Sequence, residues 1–206
     1  MRRFHRLGTK WGQAAGLTCA LALLSVSPML VAWELDPAQS RVSATIVQIG
    51  PDGPVPRHHE VRRLAGSADT NGELELPLRL NQSDVVERLG PLPPWLSGLT
   101  ERPMATLTTR FPPERLDALP VGESLVETLQ LSVQTGQATR QEPLAVRFTR
   151  VSADEIRITN AERVALDGQA LMADPTLRSV MLLLGYEQIG DEVPVSLDAM
   201  LIRPAS

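Results

Sequence analysis

Apolar and polar positions alternate along most of this chain, and residues 125–148 show it best. Leu125, Leu129, Leu131 and Val133 fall on one side of an extended segment, with Glu127 the exception. Val126, Thr128, Gln130, Ser132 and Gln134 fall on the other. A strand sends successive side chains to opposite faces, so this period of two predicts a half-buried strand. After the polar turn Thr135-Gly136-Gln137, Leu144, Val146 and Phe148 alternate with Ala145, Arg147 and Thr149. Two such runs around a Gly-containing loop predict a β-hairpin.

The same period recurs elsewhere. Val42, Ala44 and Ile46 predict a strand over 41–49, and Val61 with Leu64 a weaker one over 58–65. Between them, Pro51-Asp52-Gly53-Pro54 reads as turn and loop. Leu74, Leu76, Leu78 and Leu80 recur at every second residue, with Pro77 on the opposite side. Proline cannot donate to a ladder, so that strand lies at an edge or carries a bulge. Ala105, Leu107, Thr109 and Phe111 form the next face, ended by Pro112-Pro113. Ile156 and Ile158 mark a further strand, and the last spans 192–203, with Val193, Val195, Leu197, Ala199 and Leu201 on one face.

The period changes twice. Leu177, Val180, Met181 and Leu184 stand three and four residues apart, predicting a helix over 175–184 that stops at Gly185. Residues 83–89 suit one or two helical turns, capped by Ser83 or Asp84. The apolar Trp95, Leu96 and Leu99 lie in the Pro-rich stretch that follows, as a loop folded on the sheet or covering an opening. About eight short strands with turn signals between them predict an all-β sandwich or barrel.

The first 32 residues follow other rules. Arg2, Arg3, Arg6 and Lys10 precede residues 11–33, which carry no charge, and 14–26 are mostly apolar. Pro28 and Met29-Leu30-Val31-Ala32 complete the signature of a secretory signal peptide cleaved after Ala32; an uncleaved membrane anchor is the alternative. Residues 33–206 then form one domain in the periplasm or outside the cell. The whole chain has formal net charge −4, and losing those four basic residues lowers it by four, to −8. Such a charge disfavours nucleic acid and anionic membrane surfaces. The single cysteine, Cys19, belongs to the leader, so neither a disulfide nor thiol chemistry is expected in the domain.

Several stretches together resemble one family. Trp33-Glu34-Leu35-Asp36-Pro37 with Ser40 resembles the opening of the YceI-like family of bacterial secreted proteins. Residues 102–107, 131–139, 160–167 and 192–195 resemble its later segments, in order. The sequence departs from the family pattern at Gln39, where a histidine is common, and in the Pro-rich stretch 90–95. The resemblance implies a lipocalin-like antiparallel β-barrel with an elongated apolar cavity. It also implies a hydrophobic small-molecule partner such as a polyisoprenoid, quinone or other lipid.

On this basis the ligand-binding candidates are Leu78, Leu80, Trp95, Leu107, Leu129, Leu131, Val133, Val146 and Phe148. An eight-stranded barrel has an interior that side chains either fill or leave open for one small ligand. Only Trp33, Trp95, Phe111, Phe148 and Tyr186 are aromatic after residue 32, and Leu and Val alone can leave a wide barrel unfilled. The alternative is a filled core serving as an envelope structural or protein-interaction module. Arg102, Arg140 and Arg147 are candidates for an anionic headgroup at the barrel mouth, or plain surface arginines.

His58 and His59 are adjacent, so in a strand they face opposite ways and do not share a metal. No GxSxG, HExxH or P-loop pattern occurs. No catalytic residue, metal or cofactor is expected, and no membrane span once the leader is gone. Homodimerisation is left open.

Overall fold

Eight staves of antiparallel strand close on themselves in the computed structural model, which describes residues 33–84, 86, 98, 100–135 and 138–204. Two staves are each broken in two. The first is β1 (Trp33–Leu35) followed by β2 (Arg41–Gly50), and the second is β3 (Gly53–Arg62) followed by β4 (Ser67–Ala68). The others are β5 (Glu73–Arg79), β6 (Pro103–Arg110), β7 (Ser124–Thr135), β8 (Ala138–Arg150), β9 (Glu155–Asn160) and β11 (Glu192–Ile202). Each stave pairs with the next, and β11 pairs with β1, β2 and β9, which closes the ring. A short β10 (Val164–Asp167) adds to the top of β11.

Among the described residues there are also a 3₁₀ turn (Leu80–Gln82) and three helices. These are α1 (Pro113–Asp117), α2 (Gly168–Ala173) and α3 (Pro175–Leu183).

The expected hairpin is present, with Leu125 paired to Phe148 and Thr135 to Ala138. Residues of one parity on β7 and β8 face inward because only that face is apolar. Glu127 is the exception: it points into the wall beside α1 and pairs there with Arg115. Pro77 sits where β5 has β6 on one side and no ladder partner on the other, and the register slips between Leu78 and Arg79.

Two expectations are corrected and one is extended. The second strand begins at Gly53 and includes Pro54 and Pro56, inside the stretch read as a loop. With Gly50 paired to Gly53 across a two-residue turn, the missing N–H groups of Pro54 and Pro56 fall on the side away from β2, so the ladder loses nothing. Pro112-Pro113 ends β6 but also starts α1, since proline suits the first turn of a helix. Leu80 leaves the alternating row of β5 and opens the 3₁₀ turn.

Because strands alternate in direction, the connections divide between two ends. The turn at 69–72, the α1 connection 111–123 and the turn at 151–154 lie at one end, with Trp33. Residues 80–84 and 100–102, the connection 161–191 and the turn at 51–52 lie at the other.

The first end is a packed floor. Trp33, Phe111, Leu116, Phe148, Ile156 and Leu201 are at most 1% exposed, and the Phe111 and Phe148 rings meet with centroids 6.1 Å apart. Arg150 is buried there and donates to the carbonyls of Leu116, Asp117, Leu119 and Ala153 at 2.8–3.2 Å. Its guanidinium lies 5.4 Å from the Trp33 ring centroid, and that of Arg203 4.8 Å. At the turn, Gly72 has φ +77 and a Cβ there would meet the Phe111 carbonyl oxygen at 2.0 Å. Only glycine lets the turn close on Phe111, whose N–H donates to the Gly72 carbonyl.

Candidate functional site

Inward residues grade from buried at the floor to half-exposed above. On β5, Leu74 and Leu76 are buried and Leu78 is half-buried. On β8, Phe148 and Val146 are buried and Leu144 is half-buried. On β7, Leu129 is buried while Leu131 and Val133 are half-buried. Leu107 on β6, Leu197 on β11, and Val42 and Val61 on the first two staves repeat the upper state. At the floor rim Leu119 and Leu125 are also half-buried. These inward apolar side chains keep partial exposure, several of them while packing on the core below, so the upper interior is lined by an apolar wall less fully buried than the floor.

Of the candidate residues, the barrel brings Leu78, Leu107, Leu131 and Val133 to this upper wall. Leu129, Val146 and Phe148 belong to the packed layer below it, and Phe148 to the floor itself. Leu80 is half-buried in the 3₁₀ turn and lies off the inward row. Trp95, with Leu96 and Leu99, lies outside the described residues. The three arginines do not form one site. Arg140 pairs with inward-facing Val133 near the hairpin tip, whereas Arg147 pairs with outward Val126 farther down the strand.

A second apolar cluster occupies the mouth. Ile46, Tyr186, Ile189 and Val193 are buried, with Ala44, Leu171, Met172, Met181 and Leu184 packed on them. The predicted helix is present as α3, and Gly185 follows it with φ +81. The α2 start is pinned because Gly168 lies where a Cβ would meet the Gly190 carbonyl oxygen at 2.0 Å. Asp167 caps α2 by accepting from the N–H groups of Gln169 and Ala170. The segment 188–190 pairs with the top of β2, with Ile49 N–H donating to the Gln188 carbonyl and Gly190 N–H to that of Val47. The helix pair is thereby seated on the barrel rim.

One polar group that sequence reasoning missed sits at this level. His59, paired with Ala44 on β2, faces inward. Its Nε2 is hydrogen-bonded to the Tyr186 hydroxyl, and its Nδ1 lies 3.4 Å from Asp84 Oδ1. The rings of His59 and Tyr186 meet edge to face, centroids 5.7 Å apart. Asp84 also accepts from the Glu60 N–H at 3.1 Å. The three residues stand far apart in the chain, and no local spacing marks them. His58 turns outward toward Thr45 and Glu60. The hydrogen bond from Arg62 holds the Glu60 carboxyl below its ordinary value.

Two depressions are lined by residues of the first two staves and their neighbours. One of about 570 Å³ is lined by Arg63, Arg79, Asn81, Gln82 and Glu101. The other, of about 300 Å³, includes Ser40, Arg41, Glu60, Arg62 and Arg63. Both are lined mainly by polar and charged residues. No helix among the described residues is long and apolar enough to cross a membrane.

No protein-family model and no curated protein matches the sequence. Among solved structures the chain is similar to one described as a polyisoprenoid binding domain from Saccharophagus degradans implicated in plant cell wall breakdown. The two superimpose with a TM-score of 0.68 at 20% identity, over 84% of this chain and 99% of that one. At that identity the likeness speaks for architecture, and it is the architecture the YceI-like resemblance implies: this chain has the closed antiparallel barrel of that polyisoprenoid binding domain.

Proposed function

We propose that this chain binds and carries a long apolar small molecule, of the polyisoprenoid, quinone or lipid class, in the upper barrel interior. The observation that carries the reading is the burial gradient: fully buried side chains at the floor and only partly buried inward leucines and valines above. The structural neighbour, described as binding polyisoprenoids, supports the same ligand class. Burying ten methylenes against such a wall contributes roughly 8 kcal/mol at about 0.8 per CH₂, before the ordering costs of association. Useful affinity then needs few polar contacts, and no catalytic role is proposed.

The leader read at residues 1–32 supports work in the periplasm or outside the cell. Fusing those residues to a reporter that is active only after export tests the location.

Native mass spectrometry, with solvent extraction of protein purified from a bacterial envelope, tests the carrier role. A hydrophobe at one per chain is expected. Protein that is always empty, and that takes up no prenyl lipid offered in detergent, favours the filled-core envelope module instead. The apolar cluster at the mouth is the feature that would then be read as part of a continuous core.

A further inference from the structure

The barrel wall has a seam between its second and third staves. The second stave is broken from Arg63 to Gly66, between β3 and β4. On that side β5 pairs at Leu74 and Glu75, and the next contact up is the isolated bridge from Val61 to Ser83. Residues 76–79 between them have no ladder partner there. A buried side chain crosses the seam instead. Gln82, 8% exposed, donates from Nε2 to the Arg63 carbonyl at 2.9 Å and accepts at Oε1 from the Arg79 N–H at 2.7 Å. Arg63 is also the one non-glycine with a positive φ, +55, among the described residues. A residue with a side chain keeps that conformation where its surroundings hold it, and the Gln82 bond to its carbonyl is one such hold.

The depression of about 570 Å³ lies at this seam, lined by Arg63, Arg79, Asn81, Gln82 and Glu101. Its volume falls within the roughly 300–1,000 Å³ of small-molecule sites. The Arg79 guanidinium and the Glu101 carboxylate have no ion-pair partner among the described residues. Arg63 is shared with the second depression, where Arg41 and Arg62 stand with Glu60. Arg41 is paired to Asp198 at 3.0 Å and Arg62 to Glu60 at 2.7 Å. Together the two depressions hold four arginines against two glutamates, a positive stretch on a chain of net charge −4.

We propose that Arg79 is the charged anchor of a site at this seam for a small hydrophilic molecule that carries an oxyanion, a phosphate ester or a carboxylate, with hydroxyl groups beside it. A guanidinium presents its N–H groups as a planar fork that matches either oxyanion. Arg63 adds positive field from across the seam, an effect that needs no spare donor. The Asn81 amide donates and accepts, and the Glu101 carboxylate accepts, so both suit hydroxyl groups. Glu101 repels an oxyanion, which places the charged end of the ligand on the Arg79 side. Among the described lining residues none is aliphatic, so a lipid tail has nothing there to bury against. The site stands or falls apart from the carrier reading, which uses other side chains.

Isothermal titration calorimetry of the purified chain with glucose 6-phosphate, glucuronate and glucose tests the site. At least one of the two anions should bind with a Kd of about 1 mM or tighter, and glucose should not. Which anion binds tighter decides between phosphate ester and carboxylate. Arg79→Gln should weaken that anion about tenfold or more, the worth of a hydrogen bond to a charged group. Gln82→Leu, which removes the brace but no charge, should weaken it as well, with thermal melts confirming that both variants fold; should Gln82→Leu unfold, Arg79→Gln decides alone. Arg147→Gln, at an exposed arginine on β8, is the control and should change nothing. Neither anion binding at about 10 mM, glucose binding as tightly as the anions, or an anion indifferent to Arg79→Gln overturns the site. Phosphatidylglycerol vesicles that bind the chain through Arg79 when neither soluble anion does would also overturn it, in favour of a membrane contact.

Discussion

Exchanging one residue in the floor and one in the upper wall separates a hollow barrel from a filled one. Phe148 has 0% exposure and packs on Phe111 at 6.1 Å. Phe148→Ala opens a cavity the floor cannot close and costs about 3–5 kcal/mol. For a domain of this size each kcal/mol lowers Tm by about 2–4 °C, so the melt should fall by about 6–20 °C. Leu131 stands on the same face system but is half-buried. If it borders a water-accessible hollow, Leu131→Glu leaves the new carboxylate solvated in the empty protein, and Tm should move by less than about 3 °C. A bound tail must strip that water, and desolvating an unpaired carboxylate costs several kcal/mol. Ligand occupancy should then drop at least about a hundredfold. Thermal melts by circular dichroism give the first quantity, and native mass spectrometry with geranylgeraniol gives the second. A Leu131→Glu chain that unfolds, or melts more than about 10 °C early, would mean that the upper wall is packed core and the hollow does not exist. A variant that folds and still holds the alcohol like the wild type would place the ligand elsewhere.

Three further outcomes follow from single contacts. Arg150→Leu strips a buried cation from four carbonyls and should cost about 3–5 kcal/mol; because its acceptors are carbonyls in the floor, melts in 50 mM and 500 mM salt should show the same loss, and a loss that fades with salt refutes the assignment. Asp198 is held below the ordinary carboxylate value chiefly by its hydrogen bond from Arg157, with Arg41 adding to it. A depressed carboxylate stabilises the fold above its unfolded value near about 4 and loses that contribution as pH falls through its folded value. Asp198→Asn should therefore cost roughly 0.2–1 kcal/mol at pH 7 and progressively less as the pH falls through the folded value, and a difference that grows on acidification would reverse the sign argued here. Gly72→Ala combines a left-handed backbone with a clash on the Phe111 carbonyl and should cost at least about 1–3 kcal/mol, read as an early melt; an unchanged Tm would show that the turn can move.

The barrel was legible wherever one face of a strand is buried and the other wet. Leu74, Leu76 and Leu78, or Leu129, Leu131 and Val133, alternate because water lies on one side only. Legibility failed where a different constraint rules. The prolines of β3 obscured a strand, since they are tolerated only on the edge away from β2, and pairing partners are invisible along the chain. The α1 helix has only five residues, too few for a helical period. Glu127 was visible as a break in the apolar row, but not its reason, because Arg115 reaches it from another element.

The site divides along the same line. An apolar wall is a sum over many similar side chains, so its rows appear in the sequence even when single members, such as Leu80, depart from them. The alternation fixes which residues face inward but not how far up the barrel the packing reaches. That depends on where the five described aromatic or guanidinium plugs of the floor, Trp33, Phe111, Phe148, Arg150 and Arg203, collect. They collect at one end because the α1 connection and the β8–β9 turn both lie there. The group of His59, Tyr186 and Asp84 is the converse case, in which three unlike residues matter singly. His59 and Tyr186 lie 127 positions apart and meet only because alternating strand directions bring both long connections to the mouth. The topology that packs the floor with bulky side chains is thus the one that carries His59, Asp84 and Tyr186 together at the opposite end.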